Sequence, residues 1–271
     1  MTSMEKDVVT IPTSENKVDT KESKKFPDPS DNLVTMLAPE SVEAEAFKIL
    51  RTNISLRDYD KNLKTINVIS SAAGESKTTT IANLAYAYSQ LGKRVLLVDM
   101  DLRASTLHKK FKLKNKVGVS EVVANECSFS DAVVHYTNKL DILFAGKKNP
   151  YASELVQSRA YKRFLDALKE RYDIILLDCP PIGLVSDGLY LSSLCDGTLL
   201  CVACDVCEKK ELEKTKDMLN GLDNVNILGI VMTRVPRVKK YYGSSYGYGY
   251  YGYYGYGNES KKKKKNKKKD K

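Results

Sequence analysis

The run Gly74-Glu75-Ser76-Lys77-Thr78-Thr79 joins a permissive backbone position to a primary amine and two adjacent hydroxyls. Set between a strand and a helix, such a run holds phosphate. Backbone N–H groups of the loop and of the helix N-terminus point at the anionic oxygens. Ala73 through Thr79 would form the cradle, with Lys77 reaching the β and γ phosphates and the Thr78 hydroxyl ligating Mg2+. Two positions depart from the usual pattern: Ser71 stands in place of its first glycine, and Ser76 in place of the glycine before the lysine.

Acidic residues follow two further apolar runs. Val95-Leu96-Leu97-Val98 leads into Asp99-Met100-Asp101-Leu102-Arg103, and Ile174-Ile175-Leu176-Leu177 ends in Asp178-Cys179-Pro180-Pro181. The second has the form of a Walker B strand, whose aspartate holds Mg2+ through water. Each aspartate alone reads as a strand-end cap. Three such motifs in order, each at a strand end, read together as a nucleotide site.

The elements needed to position them are legible. Apolar runs predict strands at 65–69, 94–98, 140–144, 174–177, 198–203 and 227–232. Helical patterns fall at 42–57, 78–91, 153–172, roughly 184–195 and 208–222. Strands alternating with helices imply an α/β fold: a mostly parallel sheet with helices on both faces, like that of P-loop NTPases, flanked by disordered tails. In such folds ligands sit at the carboxyl ends of the strands, where these motifs fall.

From Tyr241 the composition changes. Nine of the 17 tyrosines (Tyr241, Tyr242, Tyr246, Tyr248, Tyr250, Tyr251, Tyr253, Tyr254 and Tyr256) alternate with Gly and Ser, without the large aliphatic residues a core strand needs. With the loop, the Asp99-x-Asp101-x-Arg103 motif and the Walker B strand, this cluster resembles the bacterial tyrosine kinases of capsule and exopolysaccharide synthesis, over about residues 41–256. The resemblance implies an ATP- and Mg2+-dependent autokinase that phosphorylates its own tail. It implies that Thr78, Asp99 and Asp178 organise Mg2+, that Lys77 stabilises transferred charge, and that Asp101 takes the tyrosine proton. Arg103 belongs to the same motif, and reads equally as a salt-bridge partner of a neighbouring acid. Glu45-x-x-Lys48-x-x-Arg51 resembles the family's subunit-contact motif, with Lys for the middle Arg. The implied partners are a membrane adaptor of the polysaccharide co-polymerase type, other copies of the chain in a possible ring, proteins of polysaccharide synthesis, and a tyrosine phosphatase.

The expected organisation is a disordered segment 1–38, a kinase domain 39–238, a phosphoacceptor tail 239–257 and a lysine tail 258–271. The net charge of +10 is concentrated at the end: residues 257–271 hold nine Lys against Glu259 and Asp270. The remainder carries no obvious basic stripe, so nucleic acid is not an expected partner. No apolar run reaches the ~20 residues of a membrane span, and the N-terminus lacks a signal-peptide core. The expected location is the cytoplasm, peripheral to the membrane through a partner. Cys201, Cys204 and Cys207 read as small buried hydrophobes rather than metal ligands, and His108 as structural or solvent-facing. Two other readings compete: a pseudokinase that offers its tyrosines to an active partner, and a partitioning-type ATPase. Ser76, Lys48 and Met232-Thr233, the latter in place of an Asn near the adenine, keep the first open; Ala72, in place of a signature Lys, weighs against the second.

Overall fold

Continuous apolar runs can bury both faces only in a sheet covered on both sides, and that is where these runs lie. The computed structural model describes residues 26–58 and 63–236. Its elements are α1 (Val34–Leu37), α2 (Val42–Arg57), β1 (Thr65–Ser70), α3 (Lys77–Ser89), β2 (Val95–Asp99), α4 (Leu107–Lys110), α5 (Val119–Val123), α6 (Phe129–Ala132), β3 (Val134–Thr137) and β4 (Leu140–Leu143). They continue with α7 (Ala152–Gln157), α8 (Arg159–Arg171), β5 (Ile174–Asp178), α9 (Asp187–Leu194), β6 (Gly197–Ala203), α10 (Lys209–Asn220) and β7 (Ile227–Thr233). Among the described residues the strands form one seven-stranded sheet, ordered β3-β4-β2-β5-β1-β6-β7. Every pairing is parallel except that of β3 with β4.

β1, β2, β5 and β6 are buried along their whole length. Their side chains alternate between two cores. Ile66, Val68 and Leu97 pack with Ile81, Leu84 and Tyr88 of α3 on one face. Leu96, Leu177 and Leu200 pack with Phe164, Leu165 and Leu168 of α8 on the other. α3 therefore approaches the sheet directly after β1, and the loop joining them is held at the carboxyl edge. No helix among the described residues is long and apolar enough to cross a membrane.

Several expectations need correction. The helix expected over 153–172 is two, because Ser158 is extended (φ −70, ψ 152) and serves as both the end of α7 and the N-cap of α8, accepting from the Tyr161 N–H at 3.0 Å. Residues 104–133, where periodicity assigns nothing, contain α4, α5 and α6. The leading segment was expected to be disordered through residue 38, yet Leu33 is completely buried. Thr35 is also buried, its N–H and hydroxyl donating to Asn83 Oδ1 at 3.0 and 2.9 Å. Composition averaged over a polar stretch hid the local run Leu33-Val34-Thr35-Met36-Leu37. Residues 1–25 and 237–271, and with them the tyrosine and lysine tails, lie outside the described residues.

If this segment belongs to the core, Leu33→Ala should cost about 3 kcal/mol of unfolding free energy, the usual range for a fully buried leucine. Urea unfolding measures it, and a loss below about 0.5 kcal/mol would show that the segment does not pack.

Candidate active site

β1 ends at Ser70 and α3 begins at Lys77, so residues 71–76 must turn at the sheet edge. Two of them turn left-handed: Gly74 at φ 83 and Ser76 at φ 65, ψ 20. Glycine meets no steric penalty there, but Ser76 carries a Cβ and costs about 1–2 kcal/mol. Glu75, between them, is fully buried. Its Oε1 accepts from the Ala72 N–H at 2.7 Å and its Oε2 from the Ala203 N–H at 3.1 Å, while its carbonyl accepts from the Thr233 hydroxyl at 3.1 Å. The loop is thus tied to itself and to the ends of β6 and β7. Ser71 is tied to α10 by the Thr215 hydroxyl at 2.9 Å. Lys77 Nζ donates to Ser70 Oγ at 2.9 Å, and Ser70 donates to the Ala72 carbonyl at 2.6 Å. Of the residues expected to cradle phosphate, Glu75 contributes its side chain to the support and leaves only its backbone to the loop.

Parallel pairing of β2 with β5 sets Val95 opposite Ile174 and carries the register to Asp99 opposite Asp178. Both are buried. Asp99 Oδ1 accepts from the Asp101 N–H at 3.1 Å; its Oδ2 accepts from the Ser105 hydroxyl at 2.6 Å and the Leu107 N–H at 3.2 Å. Among the described residues Asp178 Oδ1 has no hydrogen-bond partner. Burial raises the Asp99 carboxyl well above the ordinary range, and the neighbouring Asp178 adds to the shift. Burial also pushes Asp178 up to about 6, against the opposing influence of the Thr78 hydroxyl and the Lys77 ammonium. The folded chain holds this proton to higher pH than the unfolded one, whose reference lies at 3.8. The site therefore costs stability as pH rises from about 4 to about 6.

A hard cation would remove that cost. Mg2+ takes one or two carboxylates and completes its octahedron with water and substrate phosphates. Thr78, Asp99, and Asp178 with its orphaned oxygen fit that description. Among the described residues no three His, Cys, Asp or Glu side chains converge as a metal-binding group, so an all-protein cage is not what the site offers.

Asp101 is half-buried and its Oδ1 accepts from the Ala104 N–H at 2.8 Å, which pins the turn after β2. Arg103 is engaged with Asp187 at the start of α9, Nε to Oδ2 at 3.0 Å, and donates from Nη2 to Ser153 of α7 at 2.8 Å. The salt-bridge reading of Arg103 is the one the geometry displays. Ser153 and Asp187 were invisible in sequence: they stand 50 and 84 positions from Arg103, and nothing local marks them. Ser105 was missed likewise; its hydroxyl is hydrogen-bonded with Nδ1 of the half-buried His108 at 3.2 Å. Thr233, a departure from the family pattern near the adenine in sequence, also braces the loop through the Glu75 carbonyl.

On α2, Lys48 pairs with Glu45 at 3.1 Å and also donates to the Pro39 carbonyl, while Arg51 donates to the Ala87 carbonyl at the end of α3. All three side chains thus have partners within the chain. Cys201 is fully buried as expected, but Cys204 is exposed and Cys207 half-exposed, because β6 ends at Ala203.

Residues 63–206 match the AAA domain family. Tyrosine-protein kinase YwqD of Bacillus subtilis is 35% identical over 218 residues, 80% of this chain and 90% of that one. Tyrosine-protein kinase CpsD of Streptococcus pneumoniae serotype 4 is 33% identical over 202 residues, 73% of this chain and 87% of that one. The chain belongs to the bacterial tyrosine-protein kinase family. Among solved structures, the kinase resembles the chimerical protein CapA2B2, with 33% identity, a TM-score of 0.72, and coverage of 76% of this chain and 91% of that one.

Two substitutions test the site. Asp178→Asn should remove magnesium-dependent ATP binding by the kinase while raising its melting temperature at pH 7 by about 2–4 °C, since a buried like-charge contact disappears. A lower melting temperature would show that the carboxylate supports the fold. Ser76→Gly should raise stability by about 0.5–1 kcal/mol, the relieved strain less the added freedom of the unfolded chain. A net loss in urea unfolding would show that the serine is not strained.

Proposed function

We propose that this kinase transfers the γ-phosphoryl group of ATP to tyrosines 241–256 of another copy of itself, and so regulates capsular or exopolysaccharide synthesis. The observation that carries the reading is the buried pair Asp99 and Asp178, one oxygen unpartnered, beside Lys77 and Thr78 in a chain of this family. Thr78, Asp99 and Asp178 would hold Mg2+, which when bound neutralises phosphate charge. The N–H groups of the 73–79 loop orient the phosphates, and Lys77 follows the charge that builds on the transferred group. Asp101 accepts the tyrosine proton. A phenol with a pKa near 10 arrives protonated, and a positioned carboxylate removes the proton as the O–P bond forms.

Similarity to a chimera named CapA2B2 supports a membrane activator of the CapA type, which would keep the kinase at the inner face of the membrane. Glu45, Lys48 and Arg51 would meet a neighbouring subunit after exchanging the internal partners they have here. Proteins of polysaccharide synthesis and a tyrosine phosphatase complete the proposed partners.

Asp101→Asn should retain MgATP binding but lose most phosphotransfer, since it keeps shape and removes the base. Titration and single-turnover kinetics separate the two effects; equal loss of binding would overturn Asp101 as the base. A Lys77→Met chain should acquire phosphate within Tyr241–Tyr256 when mixed with active chain truncated before the tail. Mass spectrometry finding none in that mixture, with activator present and wild type active, would exclude transfer between copies.

A further inference from the structure

Beyond β6 the chain makes one helical turn, the Val206 and Cys207 N–H groups both donating to the Ala203 carbonyl at 3.1 and 3.0 Å. This turn sets Cys204 and Cys207 three residues apart on one side. Cys204 is exposed. Cys207 is half-exposed, its Sγ donating to Ser71 Oγ at 3.9 Å and to the Glu208 carbonyl at 3.7 Å. Ser71 opens the phosphate loop. The same turn begins at Ala203, whose N–H holds the buried Glu75 carboxylate, and it is tied to β7 by the Cys204 N–H on the Thr233 carbonyl at 3.1 Å. The two thiols thus share the segment that braces the loop.

We propose that Cys204 and Cys207 form a peroxide-sensitive disulfide that weakens nucleotide binding by shifting this brace. Cys204, the more accessible thiol, attacks the peroxide O–O bond as a thiolate, becoming a sulfenic acid and releasing hydroxide, which takes up the thiol proton as water. Cys207 then attacks the sulfenic sulfur, giving up its proton as the S–O bond breaks and a second water leaves. Two thiols and one hydrogen peroxide become one disulfide and two waters; the sulfurs supply the two electrons. Residues three apart on a helical turn have Cβ atoms about 5–6 Å apart, and a disulfide needs about 3.5–4.5 Å. Closure must therefore tighten the turn, withdrawing Cys207 from Ser71 and pulling Ala203 against Glu75. Cys179, Cys195 and Cys201 are buried and have no such access.

The inhibitory half of this inference rests on the ATP-site reading; the disulfide half does not. Full-length protein is treated with hydrogen peroxide, alkylated, and cut before aspartates, which separates peptide 196–204 from peptide 205–216. The two peptides should remain joined until reduced, and separate in Cys204→Ser. Their separation in oxidised wild type, or their persistence as a pair in Cys204→Ser, which would implicate Cys201, overturns the site. Oxidised wild type should bind ATP at least fivefold more weakly, with recovery on reduction and no peroxide effect in Cys204→Ser. Unchanged affinity in the linked protein overturns the inhibitory half. Absence of ATP binding by the reduced protein would overturn the nucleotide reading, while the peptide map decides the disulfide independently.

Discussion

Two carboxylates side by side at the ends of neighbouring parallel strands repel each other, and burial removes the water that would screen them. Asp99 and Asp178 have no freedom to separate. Their positions follow from the register that aligns Val95 with Ile174 and each following residue with its partner. That register is itself held by a sheet whose two faces are fully covered. The protein concentrates unfavourable charge at one point of a rigid core, and much of the surrounding site offsets it: the Ser105 hydroxyl and Leu107 N–H on Asp99, the Thr78 hydroxyl and Lys77 ammonium near Asp178. The offset is incomplete, since Asp178 Oδ1 stays unpartnered among the described residues. A site that is destabilising when empty gains most from a bound cation, which is how stability is commonly exchanged for function.

The phosphate loop meets a related constraint through backbone geometry. A left-handed serine persists only where its surroundings over-determine it. Here the surroundings are the two oxygens of Glu75, which fix the N–H groups of Ala72 and Ala203, and Thr233, which fixes the carbonyl beside Ser76. A glycine at 76 would make part of this bracing dispensable. With serine there, the bracing is what holds the loop's left-handed turn, so the ends of β6 and β7 belong to the site although they contribute no atom to the proposed chemistry.

The sheet was legible because strands buried on both faces leave unbroken apolar runs, and Asp99 and Asp178 were legible because they end two of those runs. Antiparallel β3 was not, since its residues are half-exposed and its four-residue span leaves too few positions to show a period. The break at Ser158 was hidden because Ala152, Val156, Phe164 and Leu168 maintain a helical apolar spacing across it. Glu75 shows a deeper limit. A charged residue inside a phosphate-loop motif reads as part of the cradle, and only the positions of Ala72 and Ala203 in space reveal that it faces inward. Arg103 with Asp187, and Thr35 with Asn83, are likewise pairings of residues far apart in sequence, which spacing cannot express.

Environment separates the three aspartates in a way that agrees with the different roles proposed for them. Asp99 is sealed, with hydrogen bonds to both oxygens, and is a rigid wall of the site. Asp178 is sealed but half-satisfied, so it retains a lone pair for a cation. Asp101 is half-buried, with one oxygen fixed by the Ala104 N–H and the other without a partner among the described residues. A proton acceptor for an incoming phenol must be reachable by it, which excludes both sealed carboxylates. It must also be held in direction, which the Ala104 contact does. Asp101 meets both requirements two residues from Asp99, because β2 ends at Asp99 and the chain turns at once. The turn that exposes Asp101 is anchored by the same Asp99 carboxylate, through the Asp101 N–H, so the proposed metal-facing wall and the proposed base are positioned by one short stretch of backbone.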